Sequence, residues 1–472
     1  MRRSLRYVLV LFAGFPALLG AQGFGLYEQG ACAMGRAGTG VAAPCSDGSA
    51  IFFNPAGLAG LKGGRATIGL TLLDVEGGFR DDILRQTTKL NDPFLAIPQV
   101  YVAYGVTPKL GVGIGLFAPY GLQTRWPTTF DGRFAGYDNI LRSVYLQPTV
   151  AYQVTPWLSL GGGLDVVFGK VELNQRLDLA AAPVPALPGI PPGTVFGQFG
   201  IAPGTDFADA HLEASKTTVT AHWGGMIKVN DKLSIGGRYL MHATLDYEGT
   251  ARFSQVLTGL VIPADLAVGP LVIPAGTPVD AFLAAPATSG GLDLFNTVLT
   301  TQAVSTQITN PEQLIFGLAY KPRKDWTLFV DYQFTRWGKR FNTVNIDFAN
   351  PLLNRVLHES YKNTNGIRLA GEWAKDAKWT FRGGYLRHQG AAPAETVTPL
   401  LPEGSRNEFT GGFTVKLSPG FSADVAYQYV NQNDRRGRTR EPLFNQVPTT
   451  LLNHGVYDFH AHLFGVSLGY AF

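Results

Sequence analysis

From Arg65 to Phe472 the chain alternates apolar and polar residues in short runs, and no apolar run is long enough to be a helical membrane span. A two-residue period is a strand period, because successive side chains point to opposite faces of a sheet. A membrane helix needs roughly 20 consecutive apolar residues. Hydrophobic residues nevertheless make up 45% of the sequence and charged residues only 16%, too apolar a balance for a comfortable soluble domain. A closed β-barrel reconciles the two facts: only every second strand residue meets lipid, and every backbone group finds a partner. The pattern runs without a linker, so it predicts one wall rather than several domains.

The periodicity predicts fourteen antiparallel strands, the sixth over 213–229, the eighth over 307–321 and the ninth over 325–347. Six connections are short and carry turn residues: Thr107-Pro108-Lys109, Thr155-Pro156, Asn230-Asp231, Lys321–Asp325, Lys375–Lys378 and Ser418-Pro419-Gly420. Each alternates with a long connection. Short turns at one end and long loops at the other characterise outer-membrane barrels. An even strand count puts both ends of the wall on the short-turn, periplasmic side. The last strand places Phe464, Val466, Leu468, Tyr470 and Phe472 on one face. Its aromatic end resembles the signal read by the barrel-assembly machinery.

What precedes the wall is different. Residues 1–21 read as a secretory leader: Arg2, Arg3 and Arg6, then the apolar Tyr7–Phe15, then Leu19-Gly20-Ala21. Removing it takes away three of the 39 basic residues and none of the 35 acidic ones. The nearly neutral remainder gives no reason to expect nucleic acid. Residues 22–61 are rich in Gly and Ala, lack alternation, and end near Asn54-Pro55-Ala56; they read as a small plug, with residues 62–472 forming the barrel. Cys32 and Cys45 lie inside the plug. An exported chain can oxidise them, and the bridge would pin a segment too small to hold its own core. Reduced thiols are the alternative. No metal cluster or cofactor motif appears.

If the apolar face meets lipid, Asp165, Arg238, Asp331, Arg368, Glu372, Arg382, Glu408 and Asp424 point into the lumen. They form either a paired network that stiffens the lumen, as the cost of lone buried charge favours, or, at Arg238, Arg368 or Arg382, a partner for an anionic head group. The third strand carries Gly111, Gly113 and Gly115 on one face, then Phe117, Pro119 and Tyr120. The glycines leave a groove for another backbone, and Pro119 removes a ladder hydrogen bond, so the wall should kink or open there. The loops Ala180–His211 and Ser254–Thr306 are unusually apolar. Leu257, Leu260, Ile262, Leu292 and Phe295 are candidates for a capture surface, with a short helix expected within Leu292–Val304. The alternative is that the loops bury one another over the mouth. Arg435-Arg436-Gly437-Arg438 reads as a solvated loop within reach of lipopolysaccharide phosphates.

The plug ending in Asn54-Pro55-Ala56, the FAPYGL stretch at Phe117–Leu122, FTRW at Phe334–Trp337, YKNTNGIRLAGEW at Tyr361–Trp373 and WTFRGGY at Trp379–Tyr385 resemble the FadL family of outer-membrane transporters. The resemblance implies a monomeric fourteen-stranded barrel with an N-terminal hatch, and a ligand such as a long-chain fatty acid or hydrocarbon. It implies capture among the outer loops, a lumenal pocket, hatch movement through Asn54, Pro55 and Ala56, and sideways exit near the kinked third strand. The Cys32/Cys45 pair departs from the family pattern, and no basic residue matches a head-group position. No segment for an energising partner is evident, so uptake is expected to be passive. The rival readings are a general aqueous porin, a surface receptor or adhesin, and a barrel enzyme. The enzyme would need a nucleophile beside His222, His242 or His388, and no serine stands out for that role.

Overall fold

Fourteen antiparallel strands close into a barrel, each hydrogen-bonded to its sequence neighbours and the first to the last. The computed structural model describes residues 23–91, 94–184, 191, 193–268, 271–441 and 447–472. The expected leader at 1–21, Gln22 and parts of both long loops lie outside the described residues. The strands are β1 (Gly64–Asp81), β2 (Leu95–Gly105), β3 (Leu110–Arg125), β4 (Asp138–Thr155), β5 (Leu158–Asp178), β6 (Asp206–Lys228), β7 (Leu233–Leu240 and Ala243–Gln255), β8 (Gln302–Asn310 and Gln313–Arg323), β9 (Trp326–Thr335), β10 (Thr364–Ala374), β11 (Trp379–His388), β12 (Arg406–Ser418), β13 (Phe421–Gln432) and β14 (Gly455–Ala471). The sixth and eighth begin earlier than their alternation suggests, because beyond the membrane the outward positions turn polar or small, as at Asp209 and His211 on the sixth and Ala303 and Ser305 on the eighth, and the apolar period fades. The ninth stops at Thr335, where a 3-10 turn at Trp337–Lys339 tucks Trp337 into the lumen, and a separate strand resumes at Thr343–Phe348.

Several of the short connections share one device. Thr107 Oγ1, Asn230 Oδ1 and Asp376 Oδ1 each accept backbone N–H bonds from residues two and three positions on, at 2.8–3.2 Å. Side chain thus replaces backbone as the turn's acceptor. At this end Trp326 stacks near Trp373, Trp379 near Phe381, and Phe421 on Tyr470. They form an aromatic girdle of the kind found at a membrane interface. Above it Ile68, Leu70, Val102, Ile114, Leu318 and Val466 project outward and exposed. The seam closes with β1 and β14 in continuous register from Arg65↔Ala471 to Asp81↔Gly455.

The plug does not stop at the periplasmic mouth. It runs up the lumen, from Leu61 beside Gly105 at the short-turn end to Phe24, which packs edge-on against Trp337 and Phe341 near the outer loops. It contains two single-turn helices, α1 (Ala31–Met34) and α2 (Ala50–Phe53), and a 3-10 turn at Pro55–Leu58. Cys32 and Cys45 are joined by a disulfide. Gly111 lets the plug approach: a Cβ there would collide with the Leu58 carbonyl.

The long loops bury one another. Leu179, Phe196 and Phe207 pack with Ile262, Phe282, Leu283 and Leu294 into a small separate core. It is built on the helices α3 (Val279–Ala284) and α4 (Leu294–Thr297). The expected helix within Leu292–Val304 is therefore a single turn. The basic loop is not simply solvated: Arg438 is buried and paired with Glu441 at 3.0 Å, Arg435 bonds the Ala392 carbonyl, and Arg436 pairs with Asp82.

Two measurements check this packing. Gly111→Val should dislodge the lower plug at a cost of about 1–3 kcal/mol; limited proteolysis of the assembled, heat-modifiable barrel should then cut the plug faster than in wild type. Replacing both cysteines by alanine should release about 3 kcal/mol of loop constraint, seen as faster plug proteolysis with the barrel's own melting little changed.

Candidate functional site

The third strand breaks its pairings at one level. β2 and β3 pair from Gly105↔Gly111 only as far as Val100↔Leu116. On the other side, β3 slips against β4 between Phe117↔Tyr145 and Tyr120↔Ser143, so β3 carries one extra residue, a β-bulge. Pro119 within it has no N–H to give. The plug's upper arm supplies the missing partners from inside. Leu26 N–H donates to the Pro119 carbonyl at 2.8 Å, Gly121 N–H to the Phe24 carbonyl at 3.0 Å, and the Gln29 amide to the Ala118 carbonyl at 2.8 Å.

A largely apolar cavity of about 630 Å³ lies at this break. Leu73, Ile97, Leu122, Val430 and Leu463 line it from the lumen, as do Phe117 and Tyr120, each 1% exposed. Val100, Leu116 and Phe168 belong to the same lining but are 38%, 42% and 45% exposed on the outer surface. The cavity therefore passes through the wall. A second, smaller cavity of about 120 Å³ sits beside it, lined by Leu212, Val304, Ile308, Val344 and Leu357. The two share Phe24, Leu122, Ile140, Leu141 and Leu401. Glu359, in the connection between β9 and β10, also lines the second cavity. Burial, with the Glu441 carboxylate adding to it, pushes Glu359 up to about 8. It therefore stays protonated at neutral pH, and Glu172, which lines the same cavity, is paired with Lys170 at 2.7 Å.

Of the eight charges that the alternation points into the lumen, Glu408 is the one that lines a cavity. Asp331 accepts N–H bonds from plug residues Gly40 (2.9 Å) and Val41 (3.3 Å). Arg368 donates to the Gly38 carbonyl at 3.1 Å and lies over the Tyr27 ring. Arg238 lies over Phe52 and donates to Gln313. Arg382 joins Glu372 (2.7 Å) and Asp424 (3.4 Å), and plug Arg36 reaches Glu372 at 3.7 Å. Arg238, Arg368 and Arg382 are thus engaged with the plug and its frame instead of facing a ligand. Arg142, Lys170 and Arg406 line the larger cavity, and of these the buried Nε of Arg406 has no hydrogen-bond partner among the described residues. Arg406 shares strand parity with Glu408, so alternation alone could have placed it inward.

Asn54 is fully buried. Its amide donates to the carbonyls of Val41 (2.5 Å) and Gly225 (3.0 Å), and its oxygen caps the 3-10 turn at Ala56 N–H. Pro55 starts that turn, and a Cβ on Gly161 of β5 would strike the Pro55–Ala56 backbone. The motif ties the plug base to the wall. Gly113 and Gly115 face Ile51 of the plug. Of the loop candidates, Ile262 is buried in the loop core, Leu292 and Phe295 pack on it, and Leu257 and Leu260 are exposed; none lines either cavity. His222 links Asp165 (2.6 Å) to Thr149 (3.1 Å) in the connectivity of a nucleophilic triad. All three are buried and none lines either cavity, so they brace the lumen. His388 is held by Glu408, and His242 by Arg340 and Glu312.

Known proteins match the chain along nearly its whole length. A family model described as outer membrane protein transport protein (OMPP1/FadL/TodX) covers residues 14–472. Outer membrane protein P1 of Haemophilus influenzae is 23% identical, over 96% of this chain and 95% of its own. The long-chain fatty acid transport protein of Salmonella typhi is 22% identical, over 95% and 94%. Among solved structures, a Pseudomonas aeruginosa FadL homologue superposes with a TM-score of 0.76 at 18% identity, over 96% of this chain and 100% of the other. The Pseudomonas putida toluene transporter TodX gives 0.66 at 17%, over 96% and 100%. The alternating wall, the interior plug and these matches agree: the chain is an outer-membrane β-barrel and belongs to the OMPP1/FadL/TodX family of outer membrane transport proteins.

Proposed function

We propose that the protein carries hydrophobic molecules, long-chain fatty acids or hydrocarbons, inward across the outer membrane by passive transfer. The observation that carries this reading is the apolar cavity that begins at the plug and ends among lipid-facing side chains beside β3. A water-filled pore offers such a solute no partner. Apolar stations in series do, at about 0.8 kcal/mol per buried methylene. The ligand is collected by the outer loops around Leu257 and Leu260, enters the smaller cavity, and passes Phe24 and Leu122 into the larger one.

The upper arm of the plug acts as the gate in this scheme. Its bonds to Pro119 and Gly121 are few and lie against the cavity, whereas the rest of the plug is held to the wall by Asn54 and Asp331 and stiffened internally by the disulfide. A ligand that displaces Phe24–Leu26 frees the break between β2 and β3, and the cargo leaves sideways into the bilayer. The periplasm is bypassed, so the cargo never has to dissolve in water. Arg406 is the group that a carboxylate-bearing cargo would meet. The protein works as a monomer, since one barrel contains the whole path.

Deleting Ala118 should restore regular pairing between β3 and β4 and close the side opening. Ligand binding to the detergent-solubilised protein should persist while cellular uptake falls to background; equal loss of both would argue against lateral exit. Arg406→Gln should weaken binding of a long-chain fatty acid about tenfold, the worth of one charge-assisted hydrogen bond, and leave toluene binding unchanged. A parallel drop for both ligands would remove the carboxylate role.

A further inference from the structure

The outer face of the closing seam changes character at one level. On β14 the outward residues Tyr470, Leu468, Val466 and Phe464 are apolar, and the next two are His462 and His460. Across the seam on β1, Ile68, Leu70 and Leu72 give way to Asp74 and Glu76. The register sets Leu72↔Phe464, then Asp74↔His462, then Glu76↔His460. At about 3.3 Å per residue and a tilt near 40°, His460 stands roughly 25 Å above Tyr470, at the upper edge of the apolar band. This is the head-group layer, where water and cations are present.

We propose that Glu76, His460 and His462 form a binding site for a divalent transition-metal ion, with Zn²⁺ the ion their chemistry fits. Their donor atoms all lie within 4.8 Å of one another, so modest side-chain rotation brings them onto one ion. Glu76 Oε2 is already 3.5 Å from His460 Nε2. Two imidazoles and one carboxylate suit zinc and its borderline neighbours, whereas magnesium and calcium prefer oxygen alone. Spacing of two on a strand puts both rings on one face, and the facing strand supplies the acid. Tyr427 hydroxyl bonds His462 Nδ1 at 2.7 Å, which orients the ring and leaves Nε2 for the metal, the usual arrangement around ligating histidines. The group is partly exposed and makes none of the bonds that hold the plug or bridge the lateral break; His460 reaches the edge of the larger cavity, but the transport reading gives Glu76 and His462 no role. A bound ion would cross-link the first strand to the last.

The test titrates untagged, EDTA-treated protein in detergent with ZnCl₂ by calorimetry, after heat-modifiable gel mobility has shown each variant to be a folded barrel. One ion per chain should bind wild type. Glu76→Gln should weaken binding at least about tenfold, and His460→Ala/His462→Ala should abolish it. Asp458→Asn, on the same outer face, should bind as wild type does. Zinc should also raise the melting temperature of wild type and not of the double variant, because it binds only where both strands meet. Absence of zinc binding to wild type, or wild-type affinity in Glu76→Gln or in the double histidine variant, would overturn the proposal.

Discussion

Within a bilayer no water can satisfy an unpaired strand edge, and this constraint governs the molecule. Each unsatisfied backbone group there costs several kcal/mol. The first and last strands meet it by pairing without interruption along the seam. The break beside β3 is the exception, and the chain manages it by another route. The extra residue and Pro119 take backbone groups out of the wall's ladder, and the plug's upper arm then pairs with them from the lumen. The wall is complete only while that arm stays in place, which couples the plug's position to the state of the side opening.

The same logic explains the interior. Charges in a low-dielectric lumen are tolerated when each finds a partner. Here most partners belong to the plug or to the polar frame around it: Asp331 holds backbone N–H groups, Arg368 a carbonyl and a tyrosine face, and Glu372 both Arg36 and Arg382. The plug is therefore fastened over its middle and base by charge and by Asn54, with the disulfide bracing it internally. Its uppermost residues make mostly apolar and backbone contacts. That gradient of attachment lets one end of a packed segment yield while the rest stays seated.

Much of this was legible in the residues. Period-two alternation yielded the strand number, the sidedness of the loops and the inward direction of all eight named charges, because the pleat fixes parity once one face is known to meet lipid. Gly111, Gly113 and Gly115 pointed to close backbone approach, and Pro119 to a defect. What alternation could not reveal was partnership. Arg238, Arg368 and Arg382 looked like candidates for an anionic ligand, yet they face the plug, because which lumenal charge meets which plug atom depends on how an irregular segment coils. The apolar loops pointed to a capture surface, but hydrophobicity alone does not distinguish an exposed groove from the mutual burial that draws Ile262 inward. The Arg435–Arg438 loop read as solvent-facing for the same reason.

A closed outer-membrane barrel with an N-terminal plug follows from local rules repeated along the chain: residue period, turn chemistry, and the absence of that period before Arg65. Where the cavities lie, which cations face them, and that the plug completes the broken wall become visible in the folded molecule alone. Those features arise from contacts between segments hundreds of residues apart, such as Gly23 with Glu403 or Tyr120 with Pro311, and no local pattern encodes which distant backbone a freed carbonyl will meet.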